Sequence, residues 1–175
     1  TWSPDRTKIA YAAGSPSCNP NKCDIFVLDL TTPGAIPDNI TDTPTVNEDR
    51  PAWSPDGTRI AYESEVTNGS GLLDVLVDTD PFGSGVNLNL TGNSAAIEGK
   101  PAWSPDSQTL FYALGSLFVA PDGAGNDMRI RREPADNSGS ATDAINHVPT
   151  LHEFQPSISP DGTKVVFSRF HFPGL

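Results

Sequence analysis

Short runs in which apolar and polar residues alternate follow one another along the whole chain. They are separated by clusters of Gly, Pro, Asp and Asn. "RIAYES" at 59–64, "DIFVLDL" at 24–30, "DVLVDTD" at 74–80 and "SLFVAPD" at 116–122 have the period and the β-branched or aromatic content of strands. No segment of useful length carries the helical period. The runs also repeat. Trp2, Trp53 and Trp103 are 51 and 50 residues apart, and Ile158 takes the Trp position 55 residues later. Ser-Pro-Asp recurs at 3–5, 54–56, 104–106 and 159–161, and a pair lies upstream of each later copy as Ile40-Thr41, Leu90-Thr91 and Ile145-Asn146. Self-similarity at a fixed period marks a stacked structural unit.

Within the second unit the pattern predicts strand a near Arg50–Trp53, strand b near Arg59–Ser64, strand c near Leu72–Asp78 and strand d near Val86–Leu90. Four strands per roughly 50 residues is the arithmetic of a β-propeller blade. The expected fold is all-β, a partial β-propeller of four-stranded antiparallel blades, with about three and a half blades in 175 residues. The whole span 1–175 reads as a single propeller segment with repeats at about 1–50, 51–100 and 101–155 and an incomplete one at 156–175, a piece of a longer propeller. Ser-Pro-Asp-Gly is a type I turn that folds strand a onto strand b. Arg6 and Ser107 stand where Gly57 and Gly162 stand, which predicts left-handed strain or an altered turn at those two places. Trp53 is expected to pack between blades, and Ile60 and Ala61 to face opposite neighbours. In the third unit, strand c is expected at 116–122 after a tight hairpin at Leu114-Gly115. A polar insertion then follows at 123–141, and its "RIRRE" is either a solvated face or a contact for an acidic partner.

The formal charge of −11 argues against nucleic acid and anionic membrane surfaces as partners. No run approaches the length of a membrane-spanning helix. Cys18 and Cys23, five residues apart across a Pro-Asn loop, suit a small disulfide of an oxidising compartment. The rival readings are free thiols, or half of a zinc site whose second pair is absent.

No G-x-S-x-G elbow, H-E-x-x-H, C-x-x-C-H or phosphate-cradling glycine loop occurs, so no catalytic residues are assigned to this segment. His147 and His152 flank "VPTL" and read as rim-loop residues without a partner, the alternative being a metal pair. Glu48, Glu98 and Glu153 each lie three residues before the repeat's Pro. In a propeller that places them at the mouth of the central channel, with Arg50 and Lys100 beside them. Three converging carboxylates suit Ca²⁺ or a cationic partner group. The alternative is that each bonds to its own loop or pairs with Arg50 or Lys100. No other cofactor is implied.

Residues 51–64, with the upstream Leu-Thr pair and the Asp-Ile-Phe-Val-Leu-Asp strand, resemble the repeat of TolB-type propellers, Pro-x-Trp-Ser-Pro-Asp-Gly followed by Ile-Ala-Phe/Tyr. The resemblance covers nearly the whole chain. It implies a non-catalytic scaffold that binds a protein partner in the periplasm or outside the cell, with remaining blades supplied by the rest of the chain or another subunit. The same repeat occurs in propellers attached to serine peptidases, so an accessory domain of a larger enzyme is the alternative. A metal- or glycan-binding propeller built on the glutamates is a third.

Overall fold

The repeat forms strands because its apolar residues alternate and its turns are written in Pro, Asp and Gly. The computed structural model describes residues 1–14, 22–43, 45–65, 71–83, 86–92, 96–116, 128–148 and 151–171. Among them are thirteen strands and no helix: β1 Lys8–Gly14, β2 Cys23–Asp29, β3 Asp38–Asn39, β4 Glu48–Trp53, β5 Ile60–Glu65, β6 Leu73–Asp78, β7 Asn87–Asn89, β8 Ala96–Trp103, β9 Thr109–Ser116, β10 Arg129–Pro134, β11 Thr142–Asp143, β12 Leu151–Ile158 and β13 Val165–His171. They fall into antiparallel units β1-β2-β3, β4-β5-β6-β7, β8-β9-β10-β11 and β12-β13. Trp2 bridges Ile9 where strand a of the first unit belongs. One parallel contact, Leu73 opposite Ile97, joins the second unit to the third.

The two middle sheets bury both faces against their neighbours. Ile60 packs with Ala10, Val27 and Trp53 on one side. The next residue, Ala61, packs with Val77, Leu90 and Trp103 on the other. Leu110 and Phe111 divide in the same way between the second and third seams. Trp53 and Trp103 are 8% and 7% exposed, and the Trp103 indole donates to the Ala52 carbonyl at 2.9 Å. Burying each ring stabilises the stack by on the order of 4 kcal/mol before ordering costs.

The four Ser-Pro-Asp turns are one device repeated. The Asp carboxylate accepts from the Ser hydroxyl and from the backbone N–H two residues on, for example 2.6 Å from Ser54 and 3.0 Å from Thr58. The fourth turn residue is left-handed throughout, with φ of 62° at Arg6, 77° at Gly57, 61° at Ser107 and 70° at Gly162. Its N–H donates to the Ser carbonyl in all four turns at 2.8–2.9 Å. Arg6 and Ser107 therefore keep the turn and accept the strain.

The third unit departs from the sequence expectation. β9 runs straight through Leu114 and Gly115, which pair with Arg129 and Ile97 rather than turning. Arg129–Pro134, β10, pairs with β9 as strand c, and residues 117–122 of the expected strand lie outside the described residues. The "RIRRE" stretch is thus a ladder strand. Its alternation was masked by arginine at three of its five positions, yet Ile130 is fully buried and Arg131 pairs with Asp143 at 3.1 Å. The matching upstream pair also moves by one residue, because Ala144, not Ile145, donates to strand c as Ile40 and Leu90 do.

The two left-handed residues differ in what their side chains do. Ser107 is 1% exposed and its hydroxyl accepts from Asp56 N–H at 3.0 Å across a seam, whereas the Arg6 side chain is exposed. Arg6→Gly should relieve strain and leave stability unchanged or raised by up to ~1 kcal/mol. Ser107→Gly relieves the same strain but loses this bond, so its stability change should lie about 1 kcal/mol below that of Arg6→Gly. Urea midpoints of the two variants check this, and equal shifts of the same sign would contradict it.

Candidate functional site

Strand a of three units, β4, β8 and β12, is interrupted at the same place. Pairing slips between Asp49 and Ala52, between Gly99 and Ala102, and between Phe154 and Ser157. The cause is the repeat's Pro, which has no N–H to give to the ladder, so the strand bulges. The residue before each Pro takes the left-handed conformation, with φ of 52° at Arg50, 57° at Lys100 and 56° at Gln155. The three bulges converge. Arg50, Pro51, Lys100, Pro101, Gln155 and Pro156 together line one opening of about 270 Å³.

Of the residues singled out in the sequence, the structure brings Arg50 and Lys100 together around this opening and turns the glutamates away from it. Glu48, Glu98 and Glu153 are buried between blades, at 1%, 3% and 0% exposure. Among the described residues no group of three or more His, Cys, Asp or Glu side chains is placed to hold a metal ion. Each glutamate instead closes a polar seam. Glu48 accepts from the Thr43 hydroxyl at 2.7 Å, beside Asp24, which accepts from Asn39 at 2.7 Å. Thr41 accepts from Ile25 N–H at 3.0 Å in the same seam. The second seam repeats this with Glu98, Asp74, Asn89 and Thr91: Asn89 donates to Asp74 at 2.6 Å and Val75 N–H to Thr91 at 3.1 Å. In the third seam Arg129 replaces the strand-c Asp. There Glu153 accepts from Arg169 at 2.6 Å and faces His147 Nδ1 at 3.3 Å. His147 therefore has a partner, contrary to the rim-loop reading, because the loop folds its ring inward against a buried carboxylate.

Burial drives the electrostatics of these seams. It raises Glu98 to about 7, with the neighbouring Asp74 and Glu133 carboxylates adding to the effect. Burial also raises Glu133, a hydrogen-bond partner of Tyr112, to about 7. Glu48 is raised for the same first reason.

Two residues of the site carried no sequence signal. Glu63 is 2% exposed and engages both cations of the opening: its carboxylate pairs with the Arg50 guanidinium and accepts from Lys100 N–H at 2.6 Å. Its counterparts are Ala12 and Ala113 in the first and third units and Ser168 in the fourth, so no repeated acid reveals it. Gly99 makes room for it, since a Cβ there would lie 2.5 Å from the Glu63 carboxylate. Gln155, by contrast, was legible from its place before Pro156, in line with Arg50 and Lys100. The Lys100 ammonium sits over the Phe154 ring, 5.1 Å from its centroid. Cys23 opens β2 and its N–H donates to Asn47 at 3.0 Å. Cys18, its expected disulfide partner, lies outside the described residues.

No family model matches the chain, and no curated protein does. Solved structures do. TolB from Acinetobacter baumannii superposes with a TM-score of 0.70 at 20% identity, over 95% of this chain and 36% of that one. An oligogalacturonate lyase from Vibrio parahaemolyticus gives 0.69 at 14% identity, over 97% and 44%. A prolyl endopeptidase gives 0.65 at 16% identity, over 94% and 25%. The chain thus spans less than half the length of each. The likeness fixes the fold as a TolB-like β-propeller.

The seam carboxyls give a pH dependence of definite sign. A group raised when folded holds its proton more tightly in the native state, so its contribution is complete below the unfolded value near 4.5 and is lost as pH rises through about 7. The Tm should fall by roughly 5 °C between pH 5 and pH 8. Glu98→Gln, which cannot ionise, should flatten part of that slope when melting is followed by calorimetry. An unchanged slope in both Glu98→Gln and Glu133→Gln would refute the assignment.

Proposed function

We propose that the chain is part of a non-catalytic propeller scaffold that recognises a protein partner on the face where Arg50, Lys100 and Gln155 meet. The observation that carries the reading is the repeated left-handed bulge. Three non-glycine residues hold φ of 52–57° at equivalent positions, each at a cost on the order of 1 kcal/mol. Side chains on three separate sheets thereby reach one opening on a rigid frame, which is an arrangement suited to recognition. The likeness to TolB favours this role and a periplasmic or extracellular setting, as does the Cys18–Cys23 spacing. The outer faces of the first and last sheets leave Trp2 58% and Val166 68% exposed. Further blades, from the rest of the polypeptide or another subunit, are the natural cover for them.

A second reading, an accessory propeller of a larger enzyme, is favoured by the likeness to a prolyl endopeptidase and an oligogalacturonate lyase. No catalytic group is assigned to this segment in either case.

A photo-crosslinking residue at position 155, in the full polypeptide within its own cells, should yield a discrete protein adduct identifiable by mass spectrometry. The same residue at position 6, in a turn at the other end of the sheets, should not. Adducts of equal yield at both positions, or none at 155, would remove the channel-face reading.

A further inference from the structure

Resting on the scaffold reading above, we propose that the opening between the blades is a carboxylate-binding site, and that the partner segment it takes is an acidic peptide.

The chain carries 22 acidic residues against 11 Lys and Arg, yet among the described residues no Asp or Glu lines this opening. Its rim is two cations, one amide and three prolines. The prolines offer no N–H donors, so polar recognition falls to the side chains of Arg50, Lys100 and Gln155. Their charge is only partly answered from within. Glu63 pairs with the Arg50 guanidinium through Nη1, and Asp49 lies 3.9 Å from the same nitrogen. The remaining guanidinium nitrogens have no hydrogen-bond partner among the described residues. Glu63 takes only the backbone N–H of Lys100. Among the described residues the Lys100 ammonium pairs with no carboxylate and rests on the Phe154 ring.

The same contacts make the site rigid. Glu63 ties β5 of the second blade to Arg50 on β4 and to Lys100 on β8, so the two cations are set in place before a ligand arrives. An opening of about 270 Å³ is at the small end for a ligand site. It accommodates an acidic side chain or a chain-terminal carboxylate, with the rest of an extended segment crossing the proline rim. Against a body of net charge −11, such a focus of positive potential selects where an acidic segment can settle.

The test uses the full chain and two probes, the peptides Gly-Glu-Asp-Glu-Gly and Gly-Gln-Asn-Gln-Gly, titrated at 50 mM salt (about a 14 Å screening length) and followed by amide chemical shifts. The acidic peptide should shift the Lys100 and Gln155 amides, and the neutral one should not. Lys100→Gln should weaken the acidic peptide about five- to tenfold, whereas Lys164→Gln, on an exposed turn away from the opening, should leave it unchanged. Equal binding of the neutral peptide, or unchanged affinity in Lys100→Gln, overturns the proposal. Tighter binding of a uronic-acid trisaccharide than of the peptide, lost in the same variant, also overturns it and assigns the site to acidic glycans. Should folding be impaired by Lys100→Gln, Lys100→Arg must retain binding and raised salt must abolish it, or the proposal fails. A crosslink at position 155 that persists without any response to the acidic peptide would sink the carboxylate assignment and leave the scaffold reading standing.

Discussion

Each sheet of this molecule has two apolar faces and can cover neither by itself. That constraint governs the rest. Strand b of a blade lies in the middle of its sheet, and its successive side chains point to opposite faces. Ile60 therefore belongs to the seam before its blade and Ala61 to the seam after. A large residue on one side calls for a complementary one on the next sheet. Trp103 fills that role in the second seam, in contact with Ala61 and Val77, with Arg59 stacked 4.9 Å from the ring. Stability consequently accrues seam by seam, as it does in repeat proteins whose units touch only their neighbours.

The apolar seams are closed at one end by carboxyl groups, and the way this is done differs between seams in an instructive manner. Where strand c carries Asp as its second residue, as at Asp24 and Asp74, burial first and then the neighbouring carboxyl hold the proton of the incoming glutamate more tightly. Where strand c begins with Arg129, the glutamate is answered by Arg169 and His147 instead. The strand-a bulge recurs in all three seams, while the side chains around the glutamate differ at several positions. Arg129 replaces Asp on strand c, Arg169 stands opposite Glu153 where Ser64 and Leu114 stand opposite Glu48 and Glu98, and His147 comes from the preceding loop. A few substitutions in a repeat thus replace a joint between two carboxyls by one in which the glutamate meets Arg169 and His147.

Much of this was legible in the sequence because the repeat is in register. The Trp spacing, the Ser-Pro-Asp turns and the alternation of β5 specify sheets, turns and facing directions, and the left-handed strain at Arg6 and Ser107 followed from turn geometry alone. Two kinds of feature were not legible. Strand β10 was hidden because arginines occupy positions where the first two blades carry Asp, then Phe or Leu, then Val, so periodicity failed although Ile130 still marks the buried face. The direction of Glu48, Glu98 and Glu153 was hidden because a bulge lies between each glutamate and its Pro. A bulge inserts a residue and changes which face the following side chains occupy. Reading the strand as regular puts the carboxylates at the opening. The bulge gives that place to the residues two further on.

Strand a therefore performs two tasks within a few residues. In β8, Glu98 turns into the seam, Gly99 yields space to Glu63 of the preceding blade, and Lys100 is carried to the opening by a conformation that favours glycine. Glycine at position 100 would adopt that backbone more easily, and so would glycine at 50 and 155. All three positions instead carry long polar side chains with hydrogen-bonding ends. Strain retained at equivalent places, where relief by the smallest residue is sterically free, is better explained by a use for the side chains than by the needs of the sheet. The seam chemistry can then vary without moving the opening, and the opening can vary without loosening the seams, because the Pro-induced bulge separates the two faces of the same strand.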